Sequence, residues 1–455
     1  MQRDCIDFGS MNIPKLFGKI LIPTLLGMLF SATLVIAEGI FVGKGVGSDG
    51  LAAVNILCPL FMITTGIGLM FGVGASIVAS IHLSQEKVKA ARINITQALL
   101  MGSILMVLLS ALVMCFHKEV AYLFGSTDRL LPLVLGYMDW LTPFLVFQMI
   151  MSMGLFLIRL DGSPVYAMLC NAIPAVINIL FCYIFVIRLN WGMKGAGMAY
   201  SIGIAIGGLM TIIYILFFSS TLHLYKLKIS RKSMNLSIRN IGYMVKLGSS
   251  AILGELAIAC MMLVGNYVFI DALGEDGVAA FGVACYCFPL CFLVNNAISQ
   301  SAQPIISYNY GTGNRKRVNK TVRLSIVAAL LCGFAATVAT IFFCEPLVGL
   351  FLKKGCNAYE IAIQGLPYFA LGYVFFAFNI ACVGYYQSVE KARQATVYTF
   401  LRGFAFMLVC FLTLPWLLGN IGIWLSVPCS EILTALVIAG YFICKKKETP
   451  QNVVS

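Results

Sequence analysis

The chain contains itself twice. Gly47-Ser48-Asp49-Gly50-Leu51-Ala52-Ala53 returns as Gly274-Glu275-Asp276-Gly277-Val278-Ala279-Ala280, 227 residues on. The same spacing pairs Lys19 with Lys246, Leu26 with Leu253, Gly27 with Gly254, Ala75 with Ala302, Ser80 with Ser307, Gly192 with Gly419 and Gly195 with Gly422. A duplicated chain folds as two copies of one plan, and each copy must bury its apolar surface against something. Composition says what that is: 60% of the 455 residues are hydrophobic, 11% are charged, and mean hydropathy is +0.93. A soluble core cannot hide that much apolar surface. Apolar runs of about 18 residues or more recur along the chain, each able to cross hydrocarbon as a helix. The short alternating strands of a membrane barrel are absent. The sequence therefore predicts an all-α integral membrane protein.

Twelve spans are expected, at 17–42, 51–80, 94–116, 130–158, 165–188, 195–218, 243–270, 277–307, 321–344, 360–387, 394–418 and 421–444. Six spans per copy make both copies enter from the same side, as parallel repeats related by an axis along the membrane normal. The expected organisation is an N-terminal lobe over 1–218, a basic linker over 219–242 and a C-terminal lobe over 243–455 with a short basic tail. Of the 31 lysines and arginines, 23 fall at the termini and in the loops on their side; seven fall on the opposite side. That bias predicts cytoplasmic termini in the cell membrane. It also accounts for the net charge of +13 without nucleic-acid binding. The stretch from Tyr225 to Gly242, with Lys226, Lys228, Arg231, Lys232 and Arg239, suits anionic lipid headgroups.

No small-residue cleavage pattern follows the first apolar run, so it is expected to stay as a helix. The cysteines lack zinc-type spacing and the histidines stand alone, so no metal site or disulfide framework is expected. Gly68–Gly72 and Gly203–Gly207 are small-xxx-small patterns that let helices approach closely. Pro59, Pro143, Pro174, Pro289, Pro304, Pro367 and Pro428 fall inside spans and can bend them.

Charges in hydrocarbon are costly, so each needs a reason. Five stand inside spans: Glu38, Asp139, Glu255, Arg402 and Glu431. Four acids against one base suit a cavity for cations. Glu38 lies about 30 Å along the first span at 1.5 Å per residue, in its outer half. It reads as a buried carboxyl that exchanges a proton or cation, against the plainer reading of an interfacial acid. Asn178 and Cys182 share one face of the fifth span, with the Tyr183 hydroxyl beside them. Glu255 is mid-span in the seventh, where its repeat mate is Met28, and Asn266 lies about three turns further out. Asn295, Asn296, Gln300, Gln303 and Asn309 add polar groups to the eighth span; such groups serve as ligands or as hydrogen-bonding glue between helices. Asp139, Arg402 and Glu431 are expected to be structural, paired or, for Arg402, snorkelling.

These residues resemble those of the multidrug and toxic compound extrusion (MATE) family, over essentially the whole chain. The likeness is to the branch of the MepA-like and DNA-damage-inducible F proteins. It is carried by Ile20-Leu21-Ile22-Pro23, Glu38-Gly39-Ile40-Phe41-Val42-Gly43, the Gly47–Ala53 motif, Arg159-Leu160-Asp161-Gly162-Ser163-Pro164, Asn178-Ile179-Leu180 and Gln303-Pro304-Ile305-Ile306-Ser307-Tyr308-Asn309-Tyr310-Gly311. The resemblance implies two six-helix lobes and export of organic cations against inward proton or sodium flow. It places Glu38 at the family's first-helix acid. Where the family often carries an Asp four residues after the fifth-helix Asn, this chain has Cys182. A thiol is a poor sodium ligand, which leans the expectation to protons. Glu38, Asn178 and Cys182 are then the expected ion-coupling residues; Glu255, Asn266, Asn295 and Tyr183 are the expected contacts of the organic cation. No cofactor beyond the coupling ion, H+ or Na+, is expected, and a monomer is.

Two other functions fit less well. A lipid-linked precursor flippase of the wider superfamily would want a basic cavity for pyrophosphate. A membrane-embedded enzyme would show His-Glu-x-x-His, Gly-x-Ser-x-Gly or paired aspartates, none of which occurs in a plausible membrane site.

Overall fold

The computed structural model describes residues 6–227 and 230–448. Among these there is no strand, and helices account for nearly all of them. We label the membrane-crossing helices α1 (Ile13–Gly45), α2 (Ser48–Ser84), α3 (Val88–Cys115), α4 (Leu131–Leu160), α5 (Pro164–Arg188) and α6 (Gly192–Phe218). A single helical run, Arg231–Gly311, follows. It breaks at Gly274, where φ is +69°, into α7 (231–273) and α8 (275–311). Then come α9 (Arg315–Phe342), α10 (Asn357–Ala370 and Gly372–Ser388, bent by 40°), α11 (Ala392–Leu418) and α12 (Asn420–Glu448). Counting the interrupted run as two crossings and the bent pair as one gives the twelve expected spans. The helices overrun the hydropathy limits by up to a turn or two, except that α7 begins twelve residues, more than three turns, ahead of its limit at 243.

The duplication is visible in the backbone. Gly47 (φ +95°) precedes α2 and Gly274 (φ +69°) precedes α8; Gly192 (φ +58°) and Gly419 (φ +59°) open α6 and α12. Each is a tight reversal that a Cβ would strain, which is why the repeated motifs begin on glycine. The aspartates of the two copies hold equivalent loops. Asp49 takes the Arg129 guanidinium at 2.6 Å, and Asp276 takes the Asn357 amide at 2.8 Å.

Two features depart from the expected outline. The linker expected over 219–242 is extended only to 227; from Arg231 it is helix, capped by Ser230 accepting from the Ser233 amide. Helix α4 is interrupted by a tight turn at Thr142–Phe144, where Pro143 cannot donate. The bend in α10 falls four residues after Pro367.

The contacts fall into two compact units that do not follow the repeat boundary: 1–255 with 303–318 and 388–390, and 256–302 with 319–387 and 391–455. In the first, α2 packs on α4 through the expected glycine pair. A Cβ at Gly68 would lie 2.8 Å from Ser152 Cβ, and one at Gly72 would lie 3.0 Å from Met153 Cα. At the end of this unit that carries the N-terminus, equivalent positions of the two copies meet. Gln303 Nε2 donates to Ser76 Oγ at 2.5 Å, 227 residues away, and Ser84 presses against Gly311. Residues ahead of α1 close over that contact. Phe8 is buried, and its carbonyl accepts from Asn309 Nδ2 (2.9 Å) and Arg317 Nη2 (3.0 Å). The Met11 carbonyl also accepts from Arg317 Nη2, at 2.7 Å. Asp7 caps this turn, and the Ser10 hydroxyl, with the Gly9 amide, holds its carboxyl below the usual carboxylate range.

The second unit is built on aromatic rings. Phe269 stacks on Phe281 (centroids 4.4 Å apart) and meets Trp424 edge-on at 4.9 Å, and Phe288 meets Phe376 at 4.7 Å. Such pairs add specificity beyond their buried area.

Replacing Gly47 or Gly274 by Ala should each destabilise the fold by about 1–2 kcal/mol, because the left-handed backbone then carries a Cβ. Thermal unfolding of the detergent-solubilised variants measures it, and Gly242→Ala, whose Cβ meets nothing within 4 Å, serves as the control.

Candidate functional site

Glu38, two turns before the end of α1, is 7% exposed. Its carboxylate Oε1 accepts from the hydroxyl of Tyr137 on α4 at 2.5 Å. Tyr137 is fully buried and is set at this depth by α6: a Cβ at Gly197 would lie 2.6 Å from the Tyr137 carbonyl oxygen. Close helix approach through glycine thus positions the carboxylate's partner. Three rings from three helices surround the bond. Phe61 of α2 lies 5.0 Å from Tyr200 of α6 and 6.2 Å from Tyr137, and the two tyrosines are 6.4 Å apart. The thiols of Cys58 and Cys182 are within electrostatic reach of Glu38. Asn178, one turn before Cys182 on α5, is 2% exposed and packs on Gly203 of α6. Among the described residues Glu38 has no ion-pair partner. The arrangement is a carboxyl shielded from water, with one hydroxyl donor and no base. A group so placed can take up and release a proton, or hold a small cation, and its charge changes the packing around it.

The second copy has no such site. The repeat mate of Glu38 is Gly265, and a Cβ there would lie 2.4 Å from the ring of Phe281. The space that holds a carboxylate in one copy is filled by an aromatic ring in the other.

The other singled-out residues are not gathered in one place. Glu255 on α7 is half-buried and makes no hydrogen bond or ion pair among the described residues. It belongs to the first compact unit, whereas Asn266 and Asn295 belong to the second. Asn266 is exposed. Asn295 is buried and bonds within its own helix, from Nδ2 to the Cys291 carbonyl at 2.9 Å. Tyr183 is 37% exposed and its hydroxyl accepts from Arg188 Nε at 2.9 Å. Asp139 is exposed and lies 3.5 Å from His117. Arg402 does not snorkel: it is 4% exposed and 3.4 Å from Glu431.

Three residues gain roles that sequence reasoning missed. Tyr137 was one tyrosine among nineteen, and only the helix crossing distinguishes it. Arg159, read as a loop residue, is 3% exposed in the last turn of α4, with Nε donating to the Leu155 carbonyl at 2.8 Å. Asp161 accepts from the Ser220 and Thr221 amides at 2.9 and 3.0 Å, the Thr221 hydroxyl at 2.6 Å and Tyr214 at 2.9 Å. It ties the chain leaving α6 to the turn between α4 and α5. The Arg159-Leu160-Asp161-Gly162 motif is therefore structural in these contacts.

The fold and the site together describe a polytopic membrane protein with a buried, tyrosine-bonded carboxyl in the first of two duplicated copies. The MatE family model matches residues 23–184 and 250–412, one stretch in each copy. The chain belongs to the MatE family. Among its relatives is the multidrug export protein MepA of Staphylococcus saprophyticus, 22% identical over 438 residues that cover 94% of this chain and 93% of that protein. MepA of Staphylococcus aureus is equally similar, at 22% over 438 residues. Of solved structures, the outward-facing conformation of a multidrug resistance MATE family transporter of the MOP superfamily superposes with a TM-score of 0.87 at 20% identity, covering 96% of this chain and 98% of that one. A MOP superfamily transporter from Pyrococcus furiosus Vc1 (DSM3638), in which reverse polarity of the binding pocket suggests a different function, superposes equally well, with a TM-score of 0.87 at 20% identity and 96% of each chain covered. Shared fold leaves function to the site residues.

A hydrogen bond to a charged group contributes about 1.5–3 kcal/mol. A double-mutant cycle of Glu38→Gln and Tyr137→Phe, read by thermal unfolding, should therefore give a coupling energy of about 1 kcal/mol or more. Additive effects would mean that the bond contributes nothing to the fold.

Proposed function

We propose that the chain is a secondary antiporter of the cell membrane that exports organic cations in exchange for protons, with both termini in the cytoplasm. The observation that carries this is Glu38: a buried carboxyl, free of any base, fixed by one tyrosine hydroxyl at the meeting of four helices. An ion that neutralises it removes a charge from an apolar setting and shifts the balance between two packings of the surrounding helices. A few kcal/mol suffices for such a shift. Protons are favoured over sodium because Cys182 of α5, in electrostatic reach of Glu38, brings a thiol, and sodium requires hard oxygen ligands. Glu255, half-buried and without a basic partner, is the second acid we assign to the organic cation. Flexible methionines and aromatic faces would accommodate varied shapes. The multidrug export named for the MepA relatives agrees with this reading.

The start of α7 supports a lipid contact. Arg231 and Arg239 are exposed beside Met234, Leu236 and Ile238, which are 58%, 43% and 62% exposed. Apolar side chains next to arginines suit the headgroup boundary of an anionic leaflet. Arg231→Gln with Arg239→Gln should reduce the stabilisation that phosphatidylglycerol adds over phosphatidylcholine in nanodiscs, read as the shift in melting temperature.

The central test is transport of ethidium into everted vesicles or proteoliposomes, with pH and sodium gradients imposed separately. The wild-type protein should respond to the pH gradient alone. Glu38→Gln should retain ethidium binding but lose at least about tenfold in gradient-driven rate, a differential of about 1.4 kcal/mol. Wild-type rates in Glu38→Gln would overturn the coupling role, and response to sodium alone would replace the proton by sodium.

A further inference from the structure

A second buried charge cluster lies wholly in the second compact unit. Arg402 of α11 and Glu431 of α12 are each 4% exposed, and Asn379 of α10, bonded to Glu431, is fully buried. Asn379 Nδ2 donates to Glu431 Oε2 at 2.7 Å and to the Glu431 carbonyl at 2.9 Å. Arg402 reaches the carboxylate by a single contact, Nη1 to Oε1 at 3.4 Å. Its guanidinium also lies 4.7 Å from the centroid of the Phe376 ring. Arg402 sits in a π-helical turn, Leu401–Ala405, a widening of the helix common at functional sites. Two buried polar atoms are left without partners: Arg402 Nε and Asn379 Oδ1. Beside Arg402 and Glu431 is a cavity of about 20 Å³, lined also by Ser430, Met261, Phe288 and Met407. That volume holds one water.

A permanent ion pair in apolar surroundings keeps its place by excellent geometry and full hydrogen bonding. This one has neither. Its arginine is held by an aromatic face that does not depend on the carboxylate's charge. Its asparagine has an acceptor oxygen with nothing to accept. A protonated Glu431 would supply that donor once the amide turned over.

We propose that this cluster is a second proton site, in which Glu431 gains and loses a proton during the transport cycle and the cavity holds a water on the Arg402 Nε–H through which the proton passes. The inference rests on the proton-coupled antiport proposed above. In the uptake step the bound water passes one of its protons to the Glu431 carboxylate as it takes another from the aqueous side, so that it never rests as hydronium beside the Arg402 cation. A carboxylic acid and neutral water result, and no carbon–oxygen bond changes. Release is the reverse transfer toward the other side. The charged and titratable groups that face Glu431 are Arg402 from α11 and the Cys291 thiol from α8, with neutral Asn379 from α10. Among the described residues no second acid bonds or pairs with this cluster.

The test uses the full-length protein in proteoliposomes with ethidium as the transported probe. The steady-state ethidium ratio is followed as the pH gradient is varied, and the slope of the logarithmic plot counts protons per exchange. Glu431→Gln should lower the wild-type slope by about one unit. Equal slopes for the two proteins would overturn the second site and leave Glu38 coupling intact. A wild-type slope of zero would overturn the antiport reading and this inference with it. Should Glu431→Gln fail to fold, Asn379→Leu keeps the ion pair and removes the amide that donates to the carboxylate. In a Glu38→Gln, Glu255→Gln background, the infrared carbonyl band of protonated carboxyl should then appear with at least about threefold less acid. An unmoved band would overturn the inference.

Discussion

Hydrocarbon offers no hydrogen bond to a stray polar group, and the rest of this structure depends on that. Its small polar side chains turn back on their own helices: Thr24 to Ile20, Thr64 to Leu60, Ser201 to Gly197, Ser301 to Ala297, Ser426 to Gly422, Thr434 to Ser430, each onto the carbonyl four residues earlier. These groups are satisfied before any neighbour arrives, so helices can pack through them at no polar cost. Carboxylates cannot do this alone. Each buried one is met by a group from another helix or loop: Tyr137 for Glu38, Asn379 and Arg402 for Glu431, and the chain following α6 for Asp161. The buried acids therefore help to fix which helices are neighbours.

Duplication preserved the turns and released the interiors. The left-handed glycines and the loop-holding aspartates recur because they serve backbone geometry that both copies need. Inside the copies the pressure is different. Glu38 has become Gly265 beneath Phe281, Met28 has become Glu255, and Glu431 stands where the first copy has Ile204. Two similar frameworks thus carry unlike chemistry.

Much of this was legible in the sequence. Membrane class, twelve crossings and the reversals at Gly47 and Gly274 follow from apolar runs and a repeated motif, since both are local. Glu38 and Glu431 were visible because an acid in a greasy run is rare. Their partners were not. Tyr137 and Phe61 are aromatics among many, and their meeting with Glu38 is created by helix crossings that no local pattern encodes. Arg159 was misplaced because hydropathy ends a span at its first charge, whereas the helix carries on and folds that charge inward. The start of α7 was misread for the same reason: a basic run looks like linker, yet nothing in it forbids helix, and Ser230 caps it. Asn266, expected among the contacts of the organic cation, is exposed.

The turn over Asp7–Met11 gives the chain's beginning a mechanical role. It grips both the end of α8 and Arg317 at the start of α9, across the seam where Ser76 and Gln303 touch. Three backbone acceptor bonds, two from Phe8 and one from Met11, hold Asn309 and Arg317 in place there. Peptide tags or truncations that disturb residues 7–11 would therefore free two side chains, Asn309 and Arg317, from the carbonyls they hold.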